Sequence, residues 1–340
     1  MLRATMKYGA VRAKVMALCG KLLKEDDWRR LCECTTVADI AALLRNHPGW
    51  SDSVGDLSAS PQKLKLIVSR RVFEDYEKLY KFSYLEDKKF LLFILCRTEY
   101  RLILDTLGSL GSDEHTLHTA YLTDFSRKYI SFDVAALENC YTFPELLETV
   151  RGSIFAAPLA RLHLNSATGL PDYSEAAVLL ENSFYKTVFS YIKTKYNGRG
   201  KQKLAEALGA EADLLNIVSI LRLQHYFPGS LVKADELLIP ISDRLKPELQ
   251  KQLQHASSEA EALELLRKSP CGKYFTENNP LNLESLYNGA MEAFCRKLIK
   301  TPEPSLCIPQ AYLTLKELEC KKLIRIIEAV NYGLDPKTAL

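Results

Sequence analysis

Apolar residues recur along this chain at spacings of three and four, and no stretch sustains the period-two alternation of a half-buried strand. Ile103 and Leu107, Ile217 and Leu221, and Leu323 and Ile327 are three such pairs. Only 15 Gly and 14 Pro punctuate the 340 residues, so the pattern predicts an all-α fold.

The same elements come back in the same order. A capped helix is expected in "LCECTTVADIAALL" from Leu31, "LENCYTFPELLETV" from Leu137 and "LQHASSEAEALELL" from Leu253. In each, a hydroxyl residue (Thr36, Thr142, Ser258) is followed three positions later by an acid (Asp39, Glu145, Glu261). That spacing is a capping box: the hydroxyl accepts from an orphan amide and the acid reaches back. A second helix carries an aromatic stripe, in "VFEDYEKLY" from Val72, "FYKTVFSYI" from Phe184 and "LYNGAMEAF" from Leu286. Phe73, Tyr185 and Tyr287 align, as do Leu79, Tyr191 and Ala293, and Tyr80, Ile192 and Phe294; such a stripe is read as core. A third helix opens on an acid, in "EYRLILDTLG" from Glu99, "DLLNIVSILR" from Asp213 and "ECKKLIRIIE" from Glu319. Three elements recurring three times at a period of about 110 residues predict three related helical subdomains, over 1–115, 116–235 and 236–340.

On a helical wheel each third element has one less apolar arc. It holds Gly108, Arg101, Asp105 and Leu102 in the first copy, Arg222, Leu215, Ser219 and Asn216 in the second, and Glu328, Lys321, Arg325 and Lys322 in the third. The opposite arc is apolar in all three and is expected in the core. The residues alone leave two orientations open for this seam. Three such helices around a pseudo-threefold axis would turn it toward a shared opening; otherwise it faces outer solvent or a neighbouring helix.

Composition narrows the function. Forty-five basic against 42 acidic residues give a net charge of +3, too balanced to argue for a nucleic-acid partner. The longest apolar run, Phe90 to Cys96, falls far short of the roughly 20 residues of a membrane span. Basic residues thread the N-terminal stretch, unlike a signal peptide. Nine scattered cysteines suit a reducing compartment better than a disulfide framework. Candidate chemistry is thin. His115 and His118 beside Asp113 and Glu114 have ligand-like types and spacing, without a further ligand placed by sequence. Cys32 and Cys34 lack the second pair of a zinc knuckle, and Tyr196–Lys201 lacks the P-loop spacing and reads as a surface loop. Glu25–Trp28 has no second acidic motif to face it and reads as a solvated helix surface. No catalytic, cofactor-binding or metal-ligating set is expected, and no small-molecule substrate.

The ordered motifs do carry a resemblance. "YGAVRAKVMALCGKLL" with "TVADIAALL", then "DLLNIVSILR" and the closing "ELECKKLIRIIEAVNYGL", resemble the C-subunit family of V/A-type ATPases, the counterpart of the eukaryotic d subunit. The resemblance spans essentially the whole chain. Asn216 departs from the plan, with Leu102 and Lys322 at the matching positions. What the resemblance implies is a funnel of three helical subdomains, bound peripherally on the cytoplasmic face of the membrane proteolipid ring. Its opening receives the tip of the central rotor stalk. The protein would then be a rotor and coupling part of an ion-transporting machine, without chemistry of its own. On that view Arg222 and Arg325, with Arg101 and Lys321 nearby, line the opening and seat the stalk. A general α-helical scaffold and an α-helical enzyme are the competing readings; the long period counts against the first and the missing paired motifs against the second.

Overall fold

The computed structural model describes residues 2–55, 60–84, 87–110, 119–226, 238–272, 283–301 and 305–339. The fold is all-α, and among the described residues the only β feature is an isolated bridge between Leu164 and Pro171. The helices are α1 (Leu2–Cys19), α2 (Glu25–Cys32), α3 (Val37–Asn46), α4 (Ser51–Val54), α5 (Pro61–Phe82) and α6 (Lys88–Ser109). They continue with α7 (Asp124–Tyr129), α8 (Val134–Glu138), α9 (Phe143–Thr149), α10 (Ala156–Leu159), α11 (Tyr173–Lys195) and α12 (Gly198–Tyr226). The last are α13 (Pro247–Gln254), α14 (Glu259–Arg267), α15 (Leu283–Ile299) and α16 (Cys307–Asn331).

The three expected caps form at three helix starts. The Thr36 hydroxyl accepts from the Asp39 amide and the Asp39 carboxylate accepts from the Thr36 amide, which starts α3. Thr142 and Glu145 do the same at α9. At α14 Ser258 accepts from the Glu261 amide, but the Glu261 carboxylate takes its amide from Ser257, one residue further out. Each cap satisfies donors that the first helical turn leaves without an intrahelical acceptor.

The described residues pack as two compact units. One comprises Met1–Leu91, His118–Lys128 and Cys295–Leu340, so the last long helix lies with the N-terminal segment. There α16 packs along α5, with α1 and α3 against it. Trp50, Ile40, Leu44, Val68, Leu323 and Ile327 belong to one buried cluster. Each large apolar side chain buried this way contributes roughly 1.5–3 kcal/mol. The aromatic stripe of α5 adds to it: Tyr76 and Tyr80 pack on Phe125, with centroids 5.9 and 5.1 Å apart.

Charges are buried between α5 and α16. The Tyr312 hydroxyl donates to Asp75 at 2.7 Å, and Lys78 closes on the same carboxylate at 3.0 Å. Burial pushes the Asp75 carboxyl up, but Arg71, Tyr312 and Lys78 outweigh it and hold the group below its ordinary value of 3.8. On α16, Lys316 pairs with Glu319 and lies over the Trp50 ring, 3.9 Å from its centroid.

The other unit comprises Leu92–Leu117 and Tyr129–Phe294. Phe93 packs on Tyr191 and Tyr100 on Phe184, so positions rising along α6 meet positions falling along α11. The two helices therefore run antiparallel. Next comes α12, which packs on α11 and against α13 and α14. Within the aromatic stripe, the row Tyr80, Ile192 and Phe294 is buried throughout, whereas Tyr191 is half-buried and Ala293 exposed.

One device recurs in both units. Glu99, Asp213 and Glu319, the acids that open the third elements, are 2%, 2% and 6% exposed. Glu99 accepts the Ser131 amide at 2.7 Å, and Glu319 the Leu23 amide at 2.7 Å. Asp213 accepts the amides of Arg244 at 2.6 Å, Leu245 at 3.0 Å and Asp243 at 3.2 Å. In each case the amide lies within a few residues of a short helix start (α8, α2 or α13). Each such bond to a charged acceptor is worth about 1.5–3 kcal/mol.

Two outcomes follow for stability. Glu319→Ala frees the Leu23 amide and strands the buried Lys316 ammonium, so it should cost about 3–5 kcal/mol in denaturant unfolding. Asp75 has its folded value below its unfolded one, so its contribution is complete above the unfolded value of 3.8 and is lost as pH falls through the folded value. Asp75→Asn should therefore lower the melting temperature at neutral pH and flatten its fall in acid; an unchanged acid slope refutes the assignment.

Candidate functional site

The apolar arcs of the three long helices are buried as the wheel requires: Ile103 and Leu107 on α6, Ile217 and Leu221 on α12, Leu323 and Ile327 on α16. The opposite arc proves to be two things. Leu102 is fully buried, and so is Asn216, whose amide clasps one residue of another segment. Its Nδ2 donates to the Ile239 carbonyl at 2.9 Å and its Oδ1 accepts the Ile239 amide at 2.8 Å. With Asp213 one turn earlier, this side of α12 holds the segment leading to α13. Burial raises the Asp213 carboxyl above its ordinary value, while the amides it receives pull it back. The polar residues inside this apolar helix are thus mainly backbone acceptors and donors for a long-range tie.

The rest of the arc is a rim. Arg222 and Lys321 are exposed; Arg101, Arg325, Lys322 and Glu328 are half-buried. On α16, Glu328 meets Lys65 of α5 at 2.9 Å and Lys322 lies over the Trp28 ring of α2 at 4.5 Å. Lys321 closes on Glu317 at 3.4 Å, and Arg325 follows it one turn along the helix. Arg101 and Arg222 belong to the other unit, where both act on one carboxylate, Glu181 of α11. The four predicted interface residues therefore fall as two pairs, one in each unit.

Around Glu181 the geometry is ordered by α6. Arg97 pairs with Glu211 of α12, and its guanidinium lies 4.9 Å from the centroid of Phe184 and 5.7 Å from that of Tyr185. One turn further on α6 comes Arg101; one turn back on α11 comes Glu181. Glu181 is half-buried, and burial pushes its carboxyl above the ordinary value; Arg97 pulls it down, Glu211 pushes it up, and Arg101 and Arg222 pull it down. Sequence reasoning missed Glu181, because no matching acid stands at Ser69 or Leu283 in the other two copies.

The other sequence candidates find structural places. Asp27 accepts the Lys24 amide at 2.9 Å and Asp26 pairs with Arg29, so Glu25–Trp28 is the start of α2, with Trp28 buried. Cys32 and Cys34 donate to the carbonyls of Pro336 and Arg30. Burial raises the Cys34 thiol to about 11. The stretch Tyr196–Lys201, expected as a loop, instead enters helix at Gly198, whose φ of 58° makes the turn between α11 and α12. Asp113, Glu114, His115 and His118 lie outside the described residues. Among the described residues no three His, Cys, Asp or Glu side chains gather as a metal site, and no helix is long and apolar enough to cross a membrane. A recess of about 180 Å³ between α2 and α3 is walled by Leu23, Asp27, Arg30, Leu43 and His47, and none of the rim arginines lines it.

Residues 11–339 of the sequence are matched by the family model of the ATP synthase (C/AC39) subunit. The chain belongs to that family. It is also 22% identical to the C subunit of the A-type ATP synthase of Thermococcus kodakarensis, in a match covering 97% of this chain and 88% of the relative. The corresponding A-type ATP synthase C subunit of a Desulfurococcus species is 21% identical over the same shares. In this C/AC39 chain the clasps are taken up by the fold, while the rim is what packing leaves over on each long helix.

That division is measurable. Asn216→Ala breaks both bonds to Ile239 and should destabilise the protein by about 1–3 kcal/mol. Arg222→Ala, on an exposed position, should stay within about 0.5 kcal/mol of the parent. Equal losses in the two variants, by denaturant titration, overturn the division.

Proposed function

We propose that the chain is a non-catalytic coupling subunit of a rotary V/A-type ATPase or ATP synthase. It joins the central rotor stalk to the membrane proteolipid ring, peripherally and on the cytoplasmic face. The family match over residues 11–339 is the observation that carries this reading. The recurrence of caps and buried carboxylates supports a second part of it, three related subdomains over 1–115, 116–235 and 236–340 around a pseudo-threefold opening. In that arrangement Arg101, Arg222, Lys321 and Arg325 stand at the opening and seat the stalk tip. Arginine suits such a rim, because its stem packs along the helix while its planar head keeps several donors for the partner.

A coupling part is tested by removing it. Membranes whose rotary complex lacks this chain should retain ATP hydrolysis by the nucleotide-binding motor but lose ATP-driven ion uptake, and added chain should restore it. Uptake that continues without the chain overturns the reading. Within the reconstituted complex, Arg222→Glu should weaken seating by roughly tenfold, with a steeper loss at low salt than at high salt.

A further inference from the structure

One histidine stands at the junction of α2, α3 and α4. After α3 ends at Asn46, the residues His47, Pro48, Gly49 and Trp50 carry the chain into α4. Pro48 restricts the residue before it to extended backbone, and His47 lies at φ −90° and ψ 130°. Gly49 packs so closely on the Lys21 carbonyl that a Cβ there would collide with its oxygen. The His47 carbonyl accepts the amides of Trp50 and Ser51, both at 2.9 Å. Its ring closes the turn, because Nδ1 accepts the Gly49 amide at 3.1 Å. That nitrogen therefore presents a lone pair, and the neutral ring carries its proton on Nε2, 3.7 Å from the Asp27 carboxylate. Trp50 comes next, fully buried, with the Lys316 ammonium over its ring. The turn thus bears on the Lys316–Glu319 pair and on the Leu23 amide that Glu319 holds.

We propose that His47 is an acid-operated latch: neutral, it pins the turn into α4, and protonated, it releases that turn and the Trp50 side chain from α16. An imidazolium has an N–H on both nitrogens and accepts nothing, so a proton on Nδ1 sets two donors against each other and breaks the bond to Gly49. The charged groups around the ring are Asp27 and Lys24 at the start of α2, Arg30 across the recess, and Lys316 and Glu319 on α16. Burial disfavours the imidazolium most; Asp27 and Glu319 favour it, and Lys316 and Lys24 oppose it. Asp27 answers it only in part, since its Oδ2 already accepts the Lys24 amide at 2.9 Å. The ring is thereby held below its ordinary value of 6.5. A histidine whose value is lower in the closed state favours that state fully above 6.5 and loses the advantage as pH falls toward the closed-state value. Asp75 yields only below its ordinary 3.8, so the two acid effects begin in different ranges. The latch stands apart from the coupling reading and does not rest on it.

The experiment uses the full chain, whose two tryptophans, Trp28 and Trp50, both belong to this unit. Trp28→Phe leaves Trp50 as the sole reporter. Acrylamide quenching and the emission maximum are followed from neutral pH into mild acid, beside far-ultraviolet circular dichroism. Quenching should rise and emission shift to the red as pH falls below 6.5, reversibly and with helicity unchanged. His47→Asn in the same background should stay flat over that range, because an Asn oxygen accepts the amide two residues on and does not titrate. A flat response with His47 present overturns the inference, and so does an equal rise in His47→Asn. A rise that comes with loss of helicity also overturns it, since acid would then unfold the chain rather than open one turn. A His47 imidazole that titrates at or above 6.5 by nuclear magnetic resonance overturns it whatever the variants do.

Discussion

The structure depends on a carboxylate placed inside a helix bundle and committed to backbone amides. Glu99, Asp213 and Glu319 each sit where a long helix is buried, and each accepts from the segment that precedes a short helix. A charged acceptor in a low-dielectric setting binds an amide more strongly than water allows, and it is costly if the amide moves away. The clasp thus does two jobs. It satisfies donors at a chain segment without regular structure, and it fixes that segment against the long helix. The capped helix that follows, α3, α9 or α14, then starts from a set position.

The caps were legible in the sequence because their physics is local. A hydroxyl and an acid three residues apart find each other whatever the rest of the chain does, and Thr36, Thr142 and Ser258 all became N-caps. The acids of the third elements were visible as a recurring letter, but not as clasps. Glu319 and the Leu23 amide are 296 positions apart, and no local spacing announces such a bond. Nor could a helical wheel separate Asn216 from Ser219: both lie on the less apolar arc, yet one is buried against Ile239 and the other half-buried. The wheel knows periodicity and not what packs on each side.

Two expectations were sharpened in a way that shows the same limit. The aromatic stripe is core along the row of Tyr80, Ile192 and Phe294, while Phe73 is half-buried against Tyr121, 5.5 Å between centroids. Residue type points to the aromatic row of Phe73, Tyr185 and Tyr287; consistent burial falls on the row of Tyr80, Ile192 and Phe294 instead. The turn at Tyr196–Lys201 looked like a loop because of its glycines. One of them, Gly198, supplies the positive φ that reverses the chain, and the other is simply carried in the first turns of α12.

The clasps and the rim meet on α12. Asp213 and Asn216 tie the middle of this helix to the segment ahead of α13, and Arg97 of α6 ties its Glu211. Arg222 lies within two turns beyond those ties, on the same helix. A side chain on a helix anchored at three points loses little further freedom when a partner takes it, so less binding free energy goes into ordering. The residues that look most functional in the sequence, the acid and amide inside an apolar helix, are spent on holding that helix to the segment ahead of α13. In the proposed seating, the residue that would meet a partner is the less conspicuous one at its edge, the exposed Arg222.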